Sequence, residues 1–133
     1  MRYAVAYIVT AVVFLGLDAI WLTQVALGMY RRELGGLLLD RPNLVIAGIF
    51  YLVFVVGLVV LAINPALNGG SWLTALLMGG VLGLVAYGTY DITNLSTLKG
   101  WSVTVTIADL VWGTVLSAVS ATAGYLVVTW FKL

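Results

Sequence analysis

The sequence predicts an all-α protein, a polytopic transmembrane four-helix bundle that forms a single domain over residues 1–133. Of its residues, 63% are apolar and 8% are charged, whereas roughly a quarter are charged in an ordinary soluble domain. The mean hydropathy is +1.15, so most of the chain is expected to lie in lipid. Four apolar runs are each long enough to cross a hydrocarbon core about 30 Å thick. The runs lack the alternating pattern of barrel strands, which excludes a β-barrel.

Charged and turn-forming residues set the bounds of the first two helices. The first is predicted over about residues 3–30. The charged residues 31–33 are expected to end it, and Gly35-Gly36 to break the helix. This run is longer than the apolar part of a signal peptide, and no small-residue cleavage site follows it, so we interpret it as a retained membrane helix. The second helix is predicted over about residues 43–63, with Pro42 in its first turn and Asn64-Pro65 at its end.

Serine caps and a glycine stop predict the other two helices. Ser71 is the expected N-cap of a helix over about residues 72–98, which Lys99-Gly100 would end. Ser102 is the expected N-cap of a fourth helix over about residues 103–131. Four long helices with short connections predict an antiparallel bundle.

The distribution of basic residues predicts the orientation in the membrane. The first and third connections carry Arg31, Arg32, Arg41 and Lys99, whereas the termini carry two basic residues and the second connection none. Basic connections favour the cytoplasmic side. We therefore expect a multi-pass protein of a bacterial inner (plasma) membrane with the first and third connections in the cytoplasm. The bias is small, and an antiparallel dimer of oppositely inserted copies stays open, as does a larger oligomer.

The composition also excludes several kinds of chemistry. The chain has no Cys and no His, which removes disulfides, thiol and imidazole catalysis, His-bound haem and the common zinc sites. The net charge of +1 gives no reason to expect a nucleic-acid partner. No cofactor is expected, and the sequence leaves the binding of a metal undecided. The expected partners are membrane lipids and a small cation or a proton.

Three acidic residues fall inside the predicted spans: Asp18, Asp91 and Asp109. An ionised carboxylate at the centre of a bilayer costs at least about 2.5–3.5 kcal/mol, which makes each acid a candidate functional residue. Asp91 lies nine residues before Gly100 and Asp109 nine after it. In an antiparallel hairpin both acids would lie about 13 Å from that turn. Asp18 is predicted to lie in the same half of the bundle.

Helical spacing puts each acid on a face with aromatic and small residues, which predicts an acidic and aromatic cavity formed by the first, third and fourth helices. The second helix has no charge and is expected to shield one side from lipid. Small residues at every fourth position let helices approach closely in a membrane. The candidate binding residues are Asp18, Asp91, Asp109, Tyr87, Tyr90, Asn94, Trp21, Trp112 and Gln24, and the candidate packing residues are Gly79, Gly83, Gly113, Ser117 and Gly124.

The favoured functional hypothesis is a small protein that binds or transports a small cation or a proton-coupled solute. Two facing carboxylates would share a proton, a cation could displace that proton, and aromatic rings could stack on an organic cation. The first alternative is a non-catalytic subunit that binds lipid or a partner, with protonated acids that only fix helix packing.

The second alternative is an intramembrane enzyme that uses paired Asp residues. Tyr90-Asp91 resembles the first half of the motif of aspartyl membrane proteases. The second half of that motif requires Gly-x-Gly before its Asp, whereas Thr106-Ile107-Ala108 precedes Asp109. The motif therefore fails where it is most specific, and an enzyme is the less favoured hypothesis.

Three segments carry a family resemblance: residues 90–101, residues 109–113 and residues 17–22, which read YDITNLSTLKGW, DLVWG and LDAIWL. Together they resemble a bacterial domain-of-unknown-function family of predicted membrane proteins. The resemblance covers essentially the whole chain. It implies a small bacterial inner-membrane protein of about this length, and it implies no particular activity.

Overall fold

The computed structural model describes residues 1–133 and contains helices but no strands. Four helices are long and apolar enough to cross a membrane: α1 (Arg2–Leu37), α2 (Leu44–Leu67), α3 (Trp72–Thr97) and α4 (Val103–Trp130). The predicted fold class is therefore confirmed. The connections are short, so consecutive helices run antiparallel and the first and third connections lie at the same end of the bundle.

Helix α4 is the central element, because it packs extensively against α3 and also against α1. A cluster of buried apolar side chains joins α1, α2 and α4, and it includes Phe14, Leu58, Ile63 and Leu116. Helix α2 approaches α3 closely only through its second half, from Val59 onward. The first half of α2 diverges from α3, which leaves space inside the bundle at the end of the first and third connections.

The interface between α3 and α4 depends on residues with little or no side chain. A Cβ atom on Gly79 would lie 2.9 Å from the carbonyl oxygen of Ser117, and one on Gly113 would overlap the ring of Tyr87. On the other side of α4, Gly124 makes room for Thr10 of α1 and Ile63 of α2. The five candidate packing residues are all buried, so the structure places them at helix contacts.

Two of the predicted caps are confirmed and a third prediction needs correction. Ser71 accepts a hydrogen bond from the backbone N–H of Leu73 at 3.2 Å, and Ser102 accepts one from Val105 at 3.1 Å. Helix α2 begins at Leu44 with Asn43 as its N-cap. Pro42 therefore precedes the helix and does not lie in its first turn, because the side chain of Asn43 supplies the cap.

The ends of α1 and α2 also differ from the prediction. The first helix continues through the charged residues 31–33 to Leu34 and ends in a 3₁₀ turn, Gly35–Leu37. Arg and Glu are good helix formers, so these charges do not end the helix. The second helix continues past Ile63 to Leu67. Helices 3 and 4 each end one residue before the predicted bound, at Thr97 and Trp130.

A wide π-helical turn interrupts each of the first two helices. One spans Trp21–Ala26 in α1 and the other Val59–Ile63 in α2. In the second of these turns the N–H of Asn64 bonds to the carbonyl of Val59, immediately before Pro65, which has no N–H to donate. Local π geometry of this kind lets a membrane helix accommodate proline. The Asn64-Pro65 pair therefore does not end α2.

The end of the bundle near the N-terminus and the second connection is held by a polar network. The hydroxyl of Tyr3 donates to Oδ1 of Asn64 at 2.6 Å. Asn68 donates to the same Oδ1 at 2.7 Å and to the Tyr3 hydroxyl at 3.1 Å. These bonds tie the start of α1 to the end of α2, and their donors and acceptors are used within the network.

Candidate functional site

A cavity of about 730 Å³ occupies the end of the bundle that faces the first and third connections. All four helices contribute to its wall, and so do Leu38 of the first connection and Trp101 of the third. The sequence assigned such a cavity to the first, third and fourth helices only. That assignment needs correction, because Phe50, Tyr51 and Phe54 of α2 also line the cavity. Helix α2 thus forms part of the wall as well as a shield from lipid.

The wall is mainly aromatic. Two carboxylates, Asp18 and Asp109, interrupt it, and no Lys or Arg is among the lining residues. Aromatic rings contact one another around the space, including Tyr90 and Trp101 at an edge-to-face angle of 88°. The aromatic lining residues are Phe14, Trp21, Tyr30, Phe50, Tyr51, Phe54, Tyr87, Tyr90, Trp101 and Trp112.

Asp18 is held by a pair of tryptophans. Asp18 is 5% exposed, and its Oδ1 accepts a hydrogen bond from Nε1 of Trp112 at 3.0 Å. The Trp112 ring stacks on the Trp21 ring, with centroids 4.7 Å apart and planes inclined by 7°. Because Asp18 and Trp21 lie on α1 and Trp112 on α4, this contact couples the two helices beside the cavity.

Asp109 is held by a tyrosine that the sequence reasoning missed. The hydroxyl of Tyr30 on α1 donates a short hydrogen bond to Oδ1 of Asp109 on α4. Tyr30 is the last residue of the predicted first helix and is not among the candidate binding residues. Nothing in the local sequence pattern indicates its contact with Asp109, which is 79 residues away.

Asp91 differs from the other two acids. It is completely buried, at 0% exposure, and it is absent from the residues that line the cavity. No donor reaches either of its carboxyl oxygens. Its carboxyl group adjoins that of Asp109 where α3 packs on α4. The structure therefore puts Asp91 in the protein interior and not in the cavity wall.

The remaining candidates divide into two groups. Tyr87 and Tyr90 line the cavity, whereas Asn94 is half-buried and does not. The placement of Gln24 needs correction, because this residue is exposed on the outside of the bundle. Gln24 lies within the π-helical turn Trp21–Ala26. That turn changes the angle between successive side chains, so the α-helical spacing that aligned Gln24 with Asp18 does not apply.

Polar contacts connect the helix ends around the mouth of the cavity. Ser102, the N-cap of α4, donates to Oε2 of Glu33 at 3.1 Å, which joins the last turn of α1 to the start of α4. The indole N–H of Trp101 donates to Oγ1 of Thr106 at 3.1 Å.

The three acids do not converge on a cluster that could hold a metal ion.

Four apolar helices around an acidic and aromatic interior define a polytopic helical membrane protein. The chain belongs to the family described as "Predicted membrane protein (DUF2177)", whose match covers residues 3–126. This match confirms the resemblance found in the sequence. No curated protein and no solved structure matches the chain.

Proposed function

We propose that this protein binds a lipophilic organic cation inside the membrane and carries it across. The observation that supports this function most directly is a cavity with two carboxylates, Asp18 and Asp109, in an aromatic wall that contains no Lys or Arg. An anion in such a cavity would meet only negative or neutral groups. A cation would gain both the carboxylates and the faces of the rings.

The size and polarity of the cavity indicate an organic molecule and not a bare metal ion. Its volume of about 730 Å³ lies within the range of about 300–1,000 Å³ that is typical of small-molecule sites. A hydrated metal ion needs several oxygen ligands, and the wall offers mainly rings and aliphatic groups. A ligand with one positive charge and an apolar body fits both features.

The position of α2 supports access from the lipid. The first half of α2 diverges from α3, and two lining residues on these helices, Phe50 and Tyr90, are 62% and 57% exposed. The side chains of Phe54 and Tyr87 still touch deeper in the bundle, with ring centroids 6.4 Å apart. A lipophilic cation that has partitioned into the bilayer would therefore reach Asp18 and Asp109 between α2 and α3.

Binding is tested with tetraphenylphosphonium, a lipophilic cation whose rings match the aromatic wall. Purified protein in mild detergent should bind this cation, as measured by calorimetry and by quenching of tryptophan fluorescence. The variant Asp18→Asn should bind at least about tenfold more weakly, which corresponds to about 1.4 kcal/mol. Asp40→Asn is the matched control, because Asp40 is an exposed acid in the first connection. Equal affinity in Asp18→Asn and wild type would contradict the proposed site.

Transport is tested separately in liposomes. Reconstituted wild-type protein should move tetraphenylphosphonium down its concentration gradient faster than protein-free liposomes do, and Asp18→Asn should not. If the protein binds the cation but moves none, it is a binding protein and the transport part of the proposal is wrong.

A second candidate function is the binding of a membrane lipid, which the same exposed Phe50 and Tyr90 favour. A phospholipid with an apolar chain in the aromatic cavity would be retained after purification. Native mass spectrometry should then detect lipid bound to wild-type protein that tetraphenylphosphonium does not displace. Displacement of the lipid by the cation would instead support the cation site.

A further inference from the structure

Asp91 is a buried carboxyl group for which the surrounding protein provides no donor. It is 0% exposed, and neither of its oxygens has a hydrogen-bond partner. A buried ionised carboxylate is stable only when donors or a cation surround it. No Lys or Arg forms an ion pair with it, since the one ion pair in the structure joins Arg32 to Glu33. Asp91 is therefore expected to carry a proton.

The group that adjoins Asp91 where α3 packs on α4 is another acceptor, the carboxyl group of Asp109. Two carboxyl groups can form a hydrogen bond only when one proton lies between them. Asp109 already accepts the hydroxyl proton of Tyr30, which stabilises Asp109 in its ionised form. The arrangement thus favours a neutral Asp91 that donates to a negative Asp109.

We propose that Asp91 and Asp109 share one proton and that a cation bound in the cavity displaces it, so that the protein exchanges the cation for a proton. The second part of this proposal rests on the proposed function and names its coupling ion. It also assigns different roles to the acids, with Asp18 as a carboxylate for the ligand and Asp91 as the proton store.

The surroundings of the pair contain no basic group that could take its proton. The titratable groups that share the cavity wall with Asp109 are Asp18 and Tyr30 from α1, Tyr51 from α2, and Tyr87 and Tyr90 from α3. These are acids and phenols, so none of them neutralises a second carboxylate. The proton therefore stays with the pair until a positive charge replaces it.

The exchange conserves charge at the pair. Asp109 lines the cavity whereas Asp91 does not, so an incoming cation meets Asp109 first. Its charge stabilises a second carboxylate, the O–H bond of Asp91 breaks, and the proton leaves to water at the mouth of the cavity. The pair with one proton and the pair with one monovalent cation have the same net charge.

The proposal is tested by counting protons released on binding. Tetraphenylphosphonium is added to purified wild-type protein in weakly buffered solution that contains a pH indicator dye. Wild type should release about one proton per cation bound. Asp91→Asn should bind the cation without releasing a proton, and the control Asp40→Asn should behave as wild type. Binding without release by wild type, or unchanged release by Asp91→Asn, would overturn the proposal.

A spectroscopic measurement keeps the proton pair testable even if no cation binds or the variant does not fold. Infrared spectra of wild-type protein at neutral pH should show the carbonyl band of a protonated carboxylic acid. Labelling with ¹³C-aspartate should shift this band, which identifies it as an aspartic acid. If that band is absent, no proton is shared and the inference is wrong. If the band is present but tetraphenylphosphonium does not bind, the proton pair stands and the proposed function fails.

Discussion

Trp112 has two roles at the scale of single residues. Its indole N–H donates to Asp18, and its ring stacks on Trp21. A hydrogen bond to a charged group is worth about 1.5–3 kcal/mol. Since this N–H donates to the Asp18 carboxyl group, Trp112 orients that carboxyl group. In the proposed function it would act on a ligand through Asp18 and directly as part of the cavity wall.

Replacing Trp112 by Phe keeps a ring in the wall and removes the donor. We expect Trp112→Phe to bind tetraphenylphosphonium about tenfold more weakly, since a loss of about 1.5 kcal/mol corresponds to that factor. Calorimetry measures the change. Trp72→Phe is the matched control, because Trp72 is exposed at the start of α3 and far from the cavity. An affinity for Trp112→Phe within twofold of the control would show that the N–H contributes nothing.

At the scale of the helix, the π-helical turn Trp21–Ala26 decides which residues of α1 face the cavity. It lies between Asp18, which accepts a hydrogen bond from Trp112, and Tyr30, which donates one to Asp109. A turn with i to i+5 bonds accommodates one residue more than an α-helical turn. Gln24 is directed outward within the turn, and Tyr30 after it is directed toward Asp109.

This geometry predicts that one residue can be removed from the π turn. Deleting Thr23, an exposed residue of that turn, should convert the segment to regular α-helix and keep the faces on both sides in place. We expect folded, monodisperse protein that is destabilised by no more than about 2 kcal/mol. Thermal unfolding in detergent and size-exclusion chromatography measure this.

The control is deletion of Val12, which is equally exposed but lies in regular α-helix. That deletion rotates all preceding residues by about 100° relative to those that follow. It should therefore disrupt the core around Phe14 and give aggregated protein. Equal damage from the two deletions would show that the π turn does not absorb an extra residue.

At the scale of the whole molecule, the two ends of the bundle differ in how their polar groups are used. At one end Tyr3, Asn64 and Asn68 bond to one another. At the other end the acids face a cavity or lack a donor. Arg31 and Arg32 near the end of α1, together with Arg41 and Lys99 in the first and third connections, lie at the cavity end. If these connections are cytoplasmic, the cavity opens toward the inner half of the bilayer.

The natural absence of Cys makes this orientation directly measurable. Single cysteines are introduced as Asp40→Cys in the first connection and Leu133→Cys at the C-terminus, both exposed. In intact cells a membrane-impermeant maleimide should label Leu133→Cys only, and permeabilised cells should show labelling of both. Labelling of Asp40→Cys alone would reverse the proposed orientation, and equal labelling of both would indicate copies inserted in opposite directions.

The sequence by itself determined the features that depend on local pattern. Long apolar runs established the four helices, and Ser71 and Ser102 marked the starts of two of them, since a cap bonds within its own first turn. The energetic cost of acids in lipid identified Asp18, Asp91 and Asp109 as residues that must face the interior. The sequence did not determine the hydrogen-bond partners of these acids.

Only the tertiary structure decided those partners. Trp112 reaches Asp18 and Tyr30 reaches Asp109 across gaps of 94 and 79 residues. The divergence of α2 brought Tyr51 and Phe54 into the wall, and the π turn directed Gln24 outward. The physical reason is that side-chain contacts depend on the distance and rotation between helices. The packing of all four helices sets this distance and rotation, and the periodicity of a single helix cannot predict them.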